Sequence, residues 1–429
     1  MNIKDSGIKQ KQQLTWFIII FCILGVFANY VYRKANNVTA EKTLMRTDSE
    51  GYYQYLPHLF IMDWGRMDKM HWAKQYGDGK TLNVYTSGVA IMQAPFFLTA
   101  HVLSHFFELE TTGYTSVYFL FVFFASLFYV LLGLLFIYKF LRRFFTHQTA
   151  FWSMVLIFYA TNLFYYTVIA PGMSHAYSFS LIAIFIYFVP VFYEKPTVRN
   201  LLYLAIPLAL ATLIRPTNLV ISFFLFLYGV FSYNDFKNRF KFWVERWFFL
   251  VVMLVIGILM FIPQMLYWHT VTGKFLFYSY LDEGFTNILS PKLYTVLFGP
   301  RNGWFLYTPL MIFSAVSLIH LAYKRKLSSW AILLIMILII YINSSWWRPT
   351  FSGAAGYRAL IGYLPFMAIP FAWFFEKIYT RKGKPIRVAL TFILVLFVIY
   401  NILFAYKYNS GVWWNEEWQW SNFLRLVKF

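Results

Sequence analysis

The chain has a single cysteine, Cys22, and it lies inside the first apolar run. A disulfide framework is therefore excluded, as is any cysteine-based metal site. Charge is scarce as well. Only 13% of residues are charged, about half the usual share of a soluble domain. Acids are the scarcest, 17 against 37 lysines and arginines, which leaves a formal charge of +20. No internal repeat and no low-complexity linker divides the sequence. One membrane domain over 1–408 with a short outer tail over 409–429 is the simplest partition.

Apolar surface takes the place of charge: 60% of the 429 residues are hydrophobic and 23% are aromatic. Such a composition suits helices that end at membrane interfaces. In a soluble protein the basic excess would point to nucleic acid. Here the basic residues fall in short gaps between apolar runs, so membrane topology accounts for them and no nucleic-acid partner is expected.

A polar tail with Lys4, Lys9 and Lys11 precedes the first run, from Leu14 to about Tyr32. It is long for a signal-peptide core, and no small-residue cleavage site follows, so it reads as a retained helix. Ten further runs of spanning or near-spanning length lie near 114–138, 148–169, 174–193, 200–214, 217–232, 246–267, 303–323, 328–345, 358–376 and 387–407. The expected fold is an all-α membrane protein of about eleven transmembrane helices with a large first outer loop, 33–113, holding interfacial helices.

The run 88–107 is ambiguous, because it is apolar but contains Pro95, His101 and His105. Charge placement decides. If it does not span, the inner segments hold 20 of the 37 basic residues and five of the 17 acids. If it spans, the clusters 139–143, 324–326 and 377–387 move outside, against the positive-inside rule. The segment is therefore read as a helix at the outer face. Arg33 and Lys34, just outside the first helix, count against this topology.

Ionisable residues collect at the outer ends of the helices. Thr47-Asp48-Ser49-Glu50-Gly51-Tyr52-Tyr53 opens the first loop with two carboxylates at the start of an aromatic helix. A carboxylate there stays ionised beside the helix dipole and can serve as a general base. The plainer alternative makes Asp48 an N-cap with Glu50 in the first turn. Tyr85, Gly88 and Pro95 follow, and the glycine permits close approach of backbone or ligand. His101 and His105 have metal-ligand spacing, or are two polar positions on an interfacial helix. His175, at the outer end of a helix pair, is an acid/base group, a second-site ligand, or a residue facing water.

Arg215 stands between two short apolar segments, a costly position unless it has a partner or lines a cavity. Arg348 and Arg358 flank a glycine-containing outer loop that opens with Trp346-Trp347. Tryptophans mark the interface or stack on a sugar face. Arginine suits bidentate contact with phosphate. Together these residues suggest a site for an anionic lipid head group, or arginines paired with acids and ordinary phospholipid heads.

Asp48 after the first helix followed by Tyr52-Tyr53, the Tyr85…Gly88…Pro95-Phe96-Phe97 stretch, Ile214-Arg215-Pro216-Thr217-Asn218 and Gly356-Tyr357-Arg358…Pro365 resemble the GT-C membrane glycosyltransferases. Within these the pattern is similar to the family 39-like enzymes, which include protein O-mannosyltransferases and the lipid A aminoarabinose transferase. The resemblance runs to about residue 376. It implies a sugar donor on a polyprenyl phosphate such as undecaprenyl phosphate, and a lipid, glycan or protein acceptor met on the outer side. It implies Asp48 as catalytic base, with Glu50 assisting or helping to hold a divalent ion. Arg215, Arg358 and Arg348 would hold the lipid phosphate. Tyr52, Tyr53, Tyr85, Gly88, His175, Trp346 and Trp347 would border the substrate pocket. No cofactor is required beyond such an ion, for which Asp48, Glu50 and His175 are the available ligands. The mannosyltransferases have adjacent Asp-Glu where this chain has Asp-Ser-Glu. Several relatives carry a soluble domain where only a tail with Trp413, Trp414, Glu416, Glu417, Trp418 and Trp420 is read here. The abundance of Phe, Tyr, Asn and Lys suggests a bacterium, and the helical bundle then suggests its inner membrane, with the site facing the periplasm or exterior. A transporter or flippase, an O-antigen ligase or polymerase, and a structural scaffold are the alternatives. The absence of a repeat speaks against the first, the large first loop against the second, and the edge arginines against the third.

Overall fold

In lipid, backbone polar groups must be satisfied within the chain, so long apolar runs fold as helices. The structure, a computed structural model, describes residues 3–45, 47–62, 67, 73–77, 80–408 and 418–428. Trp413, Trp414, Glu416 and Glu417 lie outside the described residues.

Among the described residues, seven helices are long and apolar enough to cross a membrane: Gly7–Ala35, Gly88–Phe106, Ser116–Leu141, Ser174–Glu194, Phe248–Thr272, Arg358–Arg381 and Lys384–Lys407. Four shorter apolar helices join them: Val198–Ile214, Pro216–Leu227, Leu310–Tyr323 and Ser329–Ser344. This is a multi-pass membrane architecture. It does not consist of eleven uninterrupted spans, however. The run 148–169 breaks into His147–Tyr159 and Leu163–Val168. At the break the Thr161 hydroxyl donates to Ile157 O and accepts from Leu163 N, competing with the helix ladder. The run 217–232 is a 3-10 turn, Pro216–Ile221, followed by the short helix Ser222–Leu227. The run 303–323 breaks ahead of Pro309. Helix Gly88–Phe106 has the length and composition of a span. Its reading as an outer-face helix rests on the charge distribution.

Ser174–Glu194 and Arg358–Arg381 run through the middle of the bundle, with most of their apolar windows buried. Gly133 lets Ser116–Leu141 approach the first of these closely: a Cβ there would stand 2.9 Å from Ser180 Cα. Phe248–Thr272 lies at the periphery and exposes Leu250, Leu254, Ile258 and Leu266, an apolar stripe suited to lipid.

The segment expected as the first outer loop is helical at Ala40–Leu44, Thr47–Phe60 and Gly88–Phe106. The all-α expectation missed a small hairpin, Lys74–Tyr76 against Lys80–Leu82, antiparallel with Gln75 opposite Thr81. Tyr53, Tyr55, Phe97, Phe119 and Tyr267 form a core for this loop, separate from that of the bundle. Arg33 and Lys34 occupy the last turn of Ile3–Ala35, where cations face the negative end of the helix dipole. Arg33 Nε donates to Val38 O at 3.4 Å. Their position therefore has a local cause.

The 21-residue helix Ser174–Glu194 spans about 30 Å. At one end Ser174 Oγ accepts from Tyr52 Oη. At the other Glu194 pairs with Arg143, while His147 meets Gln13 and Thr146 N donates to Glu376. Segments assigned to the inside by charge thus meet at the end of the bundle away from Tyr52. Leu289 is 97% exposed in the segment 268–302, which the charge distribution assigns to the outside. In a Cys22→Ser background, Leu289→Cys is expected to react with an impermeant maleimide on intact spheroplasts. Protection there, with labelling only after lysis, would invert the topology.

Candidate active site

Helix Thr47–Phe60 begins one residue before Asp48, so Asp48 lies in its first turn and is not an N-cap ahead of it. The helix presents Asp48 and Glu50 on different sides. Asp48 faces a cavity of about 190 Å³ that is also lined by Tyr85, Arg215, Arg348 and Arg358. Trp346, Trp347, Phe351, Ser352 and Gly353 of the late outer loop form another wall, and Tyr280 and Glu283 close it. Seven of the residues singled out in the sequence are thus brought together from four separate stretches.

Asp48 is held by two partners. Arg358 Nη2 lies 2.9 Å from Oδ2, and both side chains are 13% exposed. Tyr85 Oη donates to Oδ1 at 3.1 Å. A carboxylate has roughly four lone-pair sites, so two remain for another donor. Burial, followed by the nearby Asp48 charge, holds the Tyr85 phenol well above its ordinary value. Burial likewise raises Tyr280 and Tyr52. These phenols are therefore neutral donors over the physiological range. Arg348 is exposed, with its guanidinium 4.6 Å from the centre of the Trp347 ring and Nη1 3.3 Å from Ser352 Oγ. Arg215 is different: among the described residues its side chain makes no hydrogen bond and no ion pair. A half-buried guanidinium on a cavity wall without a direct ion-pair partner is a site for an anion.

Glycines set this geometry. A Cβ on Gly51 would stand 2.1 Å from Tyr85 Cδ2, so only glycine lets the ring lie over the helix and reach Asp48. Gly51→Ala is expected to cost roughly 1–3 kcal/mol through overpacking, read as a lowered Tm. An unchanged Tm would mean that the Tyr85 ring relocates freely. Gly88 is not a pocket residue. A Cβ there would meet Ile214 N at 2.7 Å, and Thr86 Oγ1 donates to Ile214 O. The close approach fixes the end of helix Val198–Ile214, and hence Arg215.

Four other expected site residues also lie off the cavity. Glu50 is buried on the Tyr114 side of its helix. Tyr52 stands behind Tyr85, ring centres 5.0 Å apart, and donates to Ser174. Tyr53 belongs to the core of the outer loop and donates to Gly113 O. His175 does not face water; it is 1% exposed with its ring on Tyr166. The turn before it is covered by the first loop, since a Cβ on Gly172 would stand 2.7 Å from Ser49 Cβ. Asp48, Glu50 and His175 therefore do not assemble as metal ligands, and no group of three or more His, Cys, Asp or Glu does so among the described residues. His101 is engaged by Tyr118 at 2.7 Å, with His105 against its ring.

Tyr280 and Glu283 were not anticipated. Trp347 Nε1 donates to Glu283 Oε2 at 3.3 Å, and Tyr280 lies between Tyr85 and Trp346 in an edge-to-face series. Their stretch, Tyr278-Ser279-Tyr280-Leu281-Asp282-Glu283-Gly284, sets tyrosines beside acids and a glycine as the Asp48 segment does. That parallel was the available signal.

The fold of this multi-pass helical bundle is shared with two solved proteins, ArnT and an archaeal oligosaccharyltransferase, at low sequence identity. ArnT from Cupriavidus metallidurans, solved bound to undecaprenyl phosphate, superposes with a TM-score of 0.54 at 12% identity, over 93% of this chain and 72% of that one. The archaeal oligosaccharyltransferase AglB from Archaeoglobus fulgidus, solved with an inhibitory peptide and a dolichol-phosphate, gives 0.50 at 14% identity, over 93% of this chain. A second structure of the Archaeoglobus fulgidus oligosaccharyltransferase, with zinc and sulfate, gives 0.50 at 16% over 90% of this chain. The chain spans little more than half of the oligosaccharyltransferase, 57% and 53% in the two structures. No protein-family model and no curated protein matches the sequence.

Proposed function

We propose that the chain is a membrane glycosyltransferase that moves a sugar from a polyprenyl-phosphate donor to a hydroxyl or amine acceptor at the outer face of a bacterial inner membrane. One observation carries the reading. An unpartnered arginine, Arg215, shares a cavity with a carboxylate, Asp48, that retains free lone pairs. Anion binding and proton abstraction are the two things an inverting transfer from a lipid phosphate requires. The fold adds support, because two solved proteins that share it hold polyprenyl phosphates.

In this reaction Asp48 takes the proton of the acceptor. The acceptor oxygen or nitrogen bonds to the anomeric carbon, whose bond to the phosphate oxygen breaks. The electron pair leaves on the lipid phosphate, and Arg215 meets the charge that develops there. Arg358 holds Asp48 in place. Tyr280, Trp346 and Trp347 supply the aromatic faces on which a sugar ring rests.

The test is saturable binding of undecaprenyl phosphate to the purified protein, followed by transfer from undecaprenyl-phosphate sugars in proteoliposomes. Absence of binding sinks the proposal. Binding and transbilayer movement without transfer would favour a flippase.

A further inference from the structure

The cavity wall between Arg348 and Gly353 has a strained backbone. Phe351 and Ser352 adopt consecutive left-handed conformations, φ 53° and 48°, unfavourable for non-glycine residues and kept only where neighbours hold them. The neighbour that holds them is on another loop. Asn302 is 3% exposed and itself left-handed at φ 64°, a conformation asparagine tolerates. Its side-chain amide donates to Thr350 O at 2.9 Å and Ser352 O at 3.0 Å, so both amide protons are spent on the wall.

That second loop is anchored in turn. Two residues before Asn302, Pro300 O accepts from Tyr307 Oη at 2.7 Å and from Trp418 Nε1 at 2.9 Å. Trp418 opens the C-terminal segment, whose amphipathic helix Trp420–Val427 buries Leu426 and sets Phe423 on Tyr307, ring centres 5.4 Å apart. Lys407, at the end of the last long helix, donates to the carbonyls of Arg425 and Lys428 and holds the tail against the bundle. The wall, Asn302, Pro300 and Trp418 thus form one chain of contacts. None of these tail residues lines the cavity.

We infer that Asn302 is a positioning residue for the cavity wall, and that the tryptophan-bearing tail fixes its loop through Trp418. The grip on a lipid-linked phosphate then depends on a segment remote from it. This last clause rests on the glycosyl-transfer reading; the positioning itself does not.

The test places one reporter cysteine, Ser352→Cys, in the Cys22→Ser protein and follows its rate of maleimide labelling. Trp418→Phe keeps an aromatic ring, though a smaller one, but removes the donor to Pro300, and Asn302→Asp removes both donors to the wall. Each is expected to speed labelling about 5-fold or more, the value of one net hydrogen bond. Weakening of undecaprenyl phosphate binding by about 5-fold, at an unchanged Tm for Trp418→Phe, would accompany it. Should Asn302→Asp fail to fold, Trp418→Phe decides alone. Labelling unaffected by Trp418→Phe overturns the inference. Faster labelling in a protein that binds no polyprenyl phosphate upholds the positioning and refutes the glycosyl-transfer reading.

Discussion

Asp48→Asn is expected to reduce transfer by about 10²–10⁴-fold, the usual worth of a general base. It should also lower stability, because Arg358 keeps its charge in a position that is 13% exposed while its counter-charge is gone. Removing one member of a buried ion pair costs on the order of 3 kcal/mol. The two effects separate in a double variant. Asp48→Asn with Arg358→Gln removes both charges, and Tm should recover towards wild type. Activity should not return, since no base is restored. A coupling energy above about 0.5 kcal/mol in this cycle is what residues in direct contact give. Full transfer by Asp48→Asn removes Asp48 as the base.

Arg215→Ala should weaken undecaprenyl phosphate binding about 10–100-fold, as loss of hydrogen bonds to a charged group predicts. Stability should change little, because among the described residues Arg215 has no partner to lose. Arg358→Ala should weaken binding too, together with a drop in Tm from the stranded Asp48. Arg348→Ala should have the smallest effect, since its guanidinium is exposed and already rests on Trp347. Equal losses for Arg215→Ala and Arg348→Ala would mean that the phosphate is held by diffuse positive charge and not by a defined contact.

The multi-pass membrane architecture was legible in the sequence, and an outer position for the site could be proposed from it, for a simple reason. Apolar run length and the location of Lys and Arg are one-dimensional quantities. Asp48, Arg215 and Arg358 could be found because a charge beside an apolar run is itself conspicuous. Which side of a helix a residue faces was harder to see. Asp48 and Glu50 lie two residues apart and look alike in sequence, yet one faces the cavity and the other Tyr114. His175 reads as an exposed helix start and is covered only because Gly172 admits the first loop. Breaks such as that at Thr161-Asn162 come from side chains bonding to backbone, which hydropathy does not register. Glu283 stayed hidden because its link to Asp48 is made across some 230 residues of chain, by Trp347 and the outer loop.

The cavity has three arginines against two carboxylates, Asp48 and Glu283. In the proposed reaction a sugar phosphodiester brings one negative charge and leaves the site neutral. The departing polyprenyl phosphate is a monoester, with roughly 1.5 to 2 negative charges at neutral pH. The site therefore attracts its spent carrier more strongly than its fresh donor. Turnover should be limited by release of the lipid, and added polyprenyl phosphate should act as a competitive product inhibitor whose grip loosens as ionic strength rises.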